Sequence, residues 1–212
     1  MWRVACRALP GYPAVTPRTS IIFLVCALVL TAIASAALWR LGDRKSSPAG
    51  AVATVTVGGP FLLTDQNGKA RSDKDFRGHW VLLYFGYTYC PDVCPTTLAL
   101  MSSTLDKLGA DSGRIIPVFI TVDPARDTPP VLKSYLAAFG PRFVGLTGKP
   151  SEIANVAHAY RVYYKQQPLQ GGTYSVDHSS AIYLLDPNGN FVKAYDEQSG
   201  AAAIANDLRK QF

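Results

Sequence analysis

Two stretches of strand length carry almost no polar side chains: Trp80-Val-Leu-Leu-Tyr-Phe85 and, further on, RIIPVFITV at residues 114 to 122. An unbroken apolar run of this length reads as a strand buried on both faces, because a half-exposed strand would alternate. Between them, Leu98, Met101, Leu105 and Leu108 recur at three and four and give residues 96 to 108 one apolar helical stripe. The same alternation continues. Thr128-Pro129-Pro130 supplies an N-cap and first-turn prolines for a helix that Gly140-Pro141 stops near Phe139. Ile153, Val156, Ala157 and Tyr160 share a face of a helix over 151 to 160, and 163 to 166 read as strand.

At either end the pattern turns antiparallel. FLLTDQNGKA reads as a strand, an Asn67-Gly68 turn and a partner strand, followed by a turn or short helix in SDKDFRGH. Residues 180 to 185 and 191 to 195 flank Asp186-Pro-Asn-Gly-Asn190, a hairpin signal, and a last helix runs over 201 to 210. Residues 167 to 177, QPLQGGTYSVD, show no period and contain a Gly pair, so a mobile loop is expected there. The sum is an α/β three-layer sandwich.

Ahead of this domain lies a different kind of segment. Residues 20 to 39 contain no charge and are bracketed by Arg18 and by Arg40, Arg44 and Lys45, enough helix to cross a bilayer. Ala34-Ser35-Ala36 resembles a signal-peptide cleavage site, but the apolar run exceeds a typical signal core, so a retained anchor is the expectation. Cys26 within the run reads as a small hydrophobe. The expected organisation is a tail (1–19), a transmembrane anchor (20–39), a Gly/Pro-punctuated linker (40–58) and the domain (59–212).

The net charge of +6 does not indicate nucleic acid. Residues 1 to 45 hold six Lys or Arg and one acid, whereas the rest holds fifteen basic and fourteen acidic residues. The folded part therefore has no basic footprint for phosphate backbones. Three basic residues on each side of the apolar run leave its orientation undecided by charge.

The chemistry concentrates after the first buried strand, in YFGYTYCPDVCP (84–95). If residues 91 to 95 are helical, Cys90 and Cys94 share a helix face within disulfide range, and the helix N-terminus favours a thiolate. So short a loop gains little from a purely stabilising disulfide, and a closed structural zinc site wants four ligands. Of the three histidines, His79 and His158 read as surface residues. His178 ends the loop at 167 to 177 and precedes a buried strand, where it could meet the cysteines. Two thiolates and an imidazole make a soft, low-coordinate site that suits copper. Asp123 closes the second buried strand on the same edge, either beside the site, recognising a partner, or as a turn residue before Pro124. Asp127 reads as a helix-start residue, Asp186 as a hairpin residue, and Tyr87 and Tyr89 as packing around the strand end.

The segments YFGYTYCPDVCP, TVDPARDTP and DHSSAIYLLDPNG, in this order, resemble the Sco/SenC proteins over roughly residues 55 to 210. That resemblance implies a membrane-anchored, thioredoxin-like copper chaperone for cytochrome c oxidase. It implies that Cys90, Cys94 and His178 bind one copper, as Cu(I) or Cu(II), and that the two cysteines can close as a disulfide. It further implies either delivery of copper to the CuA site of oxidase subunit II or reduction of that site's cysteines. Implied partners are subunit II and a periplasmic copper donor or thioredoxin-like reductase. Ser179 stands where Thr is common in the family and keeps the hydroxyl. The absence of an Arg- and Ser-rich transit segment points to a bacterial inner membrane, single-pass, with the domain on the periplasmic side. A thiol peroxidase, which needs one attacking thiolate and a peroxide pocket, is the weaker reading.

Overall fold

The computed structural model describes residues 27–36 and 56–211, and the chain divides into two compact units, Met1–Thr54 and Val55–Phe212. In the first unit, residues 27–36 are helical. The remainder of the expected span, 20–26 and 37–39, lies outside the described residues, as does Cys26. Among the described residues no helix is long and apolar enough to cross a membrane.

The second unit is built on a seven-stranded mixed sheet. In chain order its elements are β1 (Leu62–Asp65), β2 (Ala70–Ser72), β3 (Trp80–Gly86), α1 (Val93–Leu108), β4 (Ile115–Thr121), α2 (Pro129–Ala137), β5 (Val144–Thr147) and α3 (Pro150–Ala159). There follow β6 (Tyr164–Pro168), β7 (Tyr174–His178), β8 (Ile182–Leu185), β9 (Phe191–Tyr195) and α4 (Ala201–Leu208). The sheet runs β2-β1-β5-β4-β3-β8-β9. The three central strands β5, β4 and β3 are parallel, and antiparallel pairs extend the sheet on both sides.

The apolar runs explain the order. Six of the seven β3 residues are buried, as a strand covered on both faces requires. Alternation along β3 then sorts side chains between two helical layers. Tyr84 pairs in register with Phe119, and Phe119 with Gly145; this row meets α1 and α2 through Cys94, Tyr135, Leu132 and Leu136. Phe85 points the other way, onto Tyr160 at the end of α3. The three-layer α/β arrangement is thus written in the alternation of one strand, and it fits the thioredoxin-like fold that the resemblance implies.

Three expectations need correction. Residues 167 to 177 are not an irregular loop: β6 and β7 pair antiparallel from Tyr164↔His178 to Pro168↔Tyr174, with the Gly171-Gly172 pair at positive φ in the turn. This hairpin is a separate two-stranded sheet. β5 is an additional strand, too short to leave a periodic trace. α1 begins at Val93, not 96, and Cys90 lies outside it, so the two cysteines are not stacked on successive helical turns. Pro95 is tolerated because first-turn amides have no intrahelical partner.

Candidate metal centre

β3 delivers the chain to the site at Gly86. A Cβ there would lie 2.8 Å from Cys94 Sγ, 2.9 Å from Phe119 and 3.0 Å from Tyr84, so only glycine leaves room for the sulfur. Cys94 is fully buried and Cys90 is 8% exposed. Both are free thiols. The Asp92 side chain at the α1 N-cap makes no capping hydrogen bond; Cys90 Sγ takes that role, accepting the Cys94 backbone N–H at 3.4 Å. The sulfurs therefore meet because one caps the helix in whose first turn the other sits.

The loop before Cys90 is tied down from below. Asp127, fully buried, accepts the Thr88 N–H at 3.0 Å and the Thr88 and Thr121 hydroxyls, each at 2.6 Å. Burial pushes its carboxyl up while these three donors pull it down, and burial wins. Asp127 is thus a tie between the ends of β3 and β4, more than the helix-start residue its position before Thr128 suggests. An Asp-Thr pair ahead of prolines carries the same sequence signal either way.

His178, the last residue of β7, closes the cluster. Its Nε2 lies 3.2 Å from Cys94 Sγ, and one ligand atom from each of Cys90, Cys94 and His178 falls within 4.8 Å of the others. Its Nδ1 is 2.9 Å from the Ser179 carbonyl. A carbonyl can only accept, so Nδ1 donates there and Nε2 is the ring nitrogen turned toward the sulfurs. Ser179 also pairs with Tyr163 twice, its N–H donating to the Tyr163 carbonyl and its hydroxyl accepting the Tyr163 N–H. Tyr84 and Tyr87 flank the imidazole edge-on, with centroids 6.1 and 5.7 Å away.

The electrostatics split the two thiols. A hydrogen bond from the Cys94 thiol, together with backbone N–H groups of Asp92 and Cys94, outweighs burial and lowers Cys90 from 9.0 to about 4. The same hydrogen bond, seen from the donor, and burial push Cys94 up. The pair loses its first proton easily and holds the second. The Tyr84 hydroxyl donates to Cys94 Sγ at 3.6 Å, and burial raises that phenol.

The other sequence candidates fall elsewhere. His79 and His158 are exposed. Asp123 is buried, with its carboxylate occupied by Tyr174 Oη at 2.8 Å and by Arg126 Nε. It faces the strand that carries His178 rather than the three donors. Two sulfurs and one imidazole nitrogen remain as a soft donor set of low coordination number, with the imidazole already oriented through its other nitrogen.

Known proteins resemble this chain in sequence and in fold. Residues 50–212 match the family described as SCO1/SenC. The mitochondrial SCO2 homologue of Homo sapiens is 44% identical over 176 residues, 82% of this chain and 66% of that protein. The mitochondrial SCO1 homologue 1 of Arabidopsis thaliana is 42% identical over 74% of this chain, which spans about half that protein's length. Among solved structures, copper-bound ScoI of Bradyrhizobium japonicum is 47% identical with a TM-score of 0.70, over 74% of this chain and 99% of its own. BsSco, described as having a disulfide switch and as a member of a family of cytochrome c oxidase assembly proteins, is 28% identical with a TM-score of 0.58, over 73% and 92%. Matched along three quarters of its length, over the same strand ends that gather its two cysteines and histidine, this chain belongs to the SCO1/SenC family.

Proposed function

We propose that this chain is a membrane-anchored copper carrier, in which Cys90, Cys94 and His178 hold a single copper ion for maturation of the CuA site of cytochrome c oxidase. The observation that carries the reading is the convergence of three soft donors within 4.8 Å, with Nε2 of His178 facing the sulfurs. The copper-bound relative from Bradyrhizobium supports it. Bound copper would be cargo: two thiolates hold Cu(I), and the imidazole extends the donor set to suit Cu(II). The acceptor is subunit II of the oxidase, and loading falls to a periplasmic copper donor.

Residues 20–39 form the single membrane span in this reading, with the domain on the periplasmic side of a bacterial inner membrane. The uncharged run and its basic flanks support the span. Bacterial relatives such as ScoI of Bradyrhizobium japonicum stand beside the mitochondrial ones.

A second reading is favoured by one observation, the low Cys90 pKa beside a buried Cys94. Cys90 thiolate would attack a partner disulfide, and Cys94 would then displace the mixed disulfide. This leaves a Cys90–Cys94 disulfide and two partner thiols, so the protein loses the electron pair that the partner gains. The partners would be the oxidase-site cysteines and a thioredoxin-like reductase that restores the pair.

Anaerobic titration of the reduced full chain with Cu(I) and Cu(II) separates the two. The carrier binds one copper, and His178→Ala lowers Cu(II) affinity by about tenfold to a hundredfold, the loss expected for one orienting ligand. Full Cu(II) affinity without His178 would sink the carrier reading, because a dithiol reductase has no use for the imidazole.

A further inference from the structure

His178 is carried by a hairpin that pairs only with itself. A two-stranded hairpin is marginal in water, so its placement must come from side chains. Tyr174, Val176 and His178 alternate onto one face of β7. Val176 is buried. At the far end, Tyr174 meets the loop after β4, where Arg126 sits at the centre. The guanidinium carbon lies 3.8 Å from the Tyr174 ring centroid, Nη1 donates to the Tyr174 carbonyl at 2.9 Å, and Nε donates to Asp123. Asp123 in turn accepts the Tyr174 hydroxyl at 2.8 Å.

The same guanidinium faces the cysteine loop. It lies 4.8 Å from the Tyr89 ring and 5.7 Å from that of Tyr87, whose own ring stands edge-on to His178. Arg126 thus bridges the segment leading to Cys90 and the strand ending at His178 without being one of the three donors. Its side chain is 19% exposed, so these charge-assisted contacts are only weakly screened. A lysine could keep the charge but not the planar fork that stacks and donates at once.

We propose that Arg126 is a latch, a positioning residue that fastens the β6–β7 hairpin to the loop after β4 and so sets how long the His178 imidazole stays within reach of the two sulfurs. With the latch closed, three donors face one point. When it opens, the imidazole swings away with β7 and the two sulfurs stay, exposing a place for a ligand from the receiving protein. The latch rests on the carrier reading for what His178 holds, but its mechanics do not depend on metal.

The test compares the full chain with Arg126→Lys, Arg126→Gln and Tyr174→Phe. In the metal-free proteins, amide hydrogen exchange in the β6–β7 ladder is expected to speed up by about tenfold or more in both arginine variants, as loss of charge-assisted bonds implies. Exchange in the β3–β4 ladder stays at the wild-type rate. Tyr174→Phe keeps the stacked ring, loses only the hydroxyl bond to Asp123, and shows the same local change at smaller size. Cu(II) affinity falls with the hairpin protection and the sulfur-to-copper absorption band shifts, while Cu(I) affinity falls less. Unchanged hairpin exchange in the arginine variants would overturn the latch, as would exchange raised equally in both ladders by Tyr174→Phe. Wild-type chain that takes up no copper would instead sink the carrier reading and leave the exchange result standing.

Discussion

The cysteines and the histidine reach the same point by opposite means. Cys90 and Cys94 stand at the end of a strand buried on both faces, capped onto a helix and tied through Thr88 to the fully buried Asp127. His178 stands at the end of a hairpin with no ladder to the main sheet, held by the Arg126 cluster at one end and by Ser179–Tyr163 at the other. The sulfurs are fixed by packing, which relaxes little; the imidazole is held by a few polar contacts, which can break one at a time. A site made of one rigid and one releasable part is suited to ligand exchange.

The sharpest way to break this contrast is to disturb the rigid half. Gly86→Ala places a methyl 2.8 Å from Cys94 Sγ and 2.9 Å from Phe119, neither of which has free space to retreat into. The expected loss is about 3 kcal/mol, read from the denaturant midpoint. A change below about 1 kcal/mol would show that the sulfur pocket is as yielding as the hairpin.

Next in size is the reactivity of the reduced, metal-free pair. With Cys90 ionising at about 4, its thiolate is fully formed by neutral pH, so iodoacetamide labelling stays flat across that range. An ordinary thiol would gain about a hundredfold over the two units below its pKa. Labelling of Cys90 falls only as the pH drops through about 4, where the thiolate takes up its proton. A steep rise between neutral and alkaline pH would mean that the Cys94 thiol and the backbone N–H groups of Asp92 and Cys94 do not donate to Cys90.

The smallest effect lies at the entry to the hairpin. α3 ends with Arg161 N–H on the His158 carbonyl and Val162 N–H on the Ala157 carbonyl, which puts Arg161 in the left-handed region at φ 59°. Arg161→Gly removes that strain and is expected to stabilise by about 1 kcal/mol, with copper affinity unchanged. Destabilisation there would show that the Arg161 side chain supports the hairpin.

The sequence was most legible where burial set the pattern. Trp80–Phe85 and Ile115–Val122 announce their strands by having no polar side, Leu98 to Leu108 announces α1, and Asp186–Asn190 announces the closing turn. The hairpin left no such mark. Its strands bury only Val176, so hydrogen bonds rather than apolar alternation define it, and the Gly171-Gly172 turn reads like a loop. For the same reason His178 stood out through its motif and not through periodicity. Asp127 and Arg126 were visible as residues but not as partners, because the contacts that define them reach 39 and 48 positions along the chain.

Gly86 also bears on how portable the centre is. The cysteine loop is compact enough to be copied onto another sheet, but the space for Cys94 belongs to the strand beneath it, where a side chain is missing. A graft of residues 87–95 onto a host strand ending in alanine or valine would carry both sulfurs and have nowhere to put one of them. The smallest transferable unit therefore starts one residue earlier, with an atom that is not there.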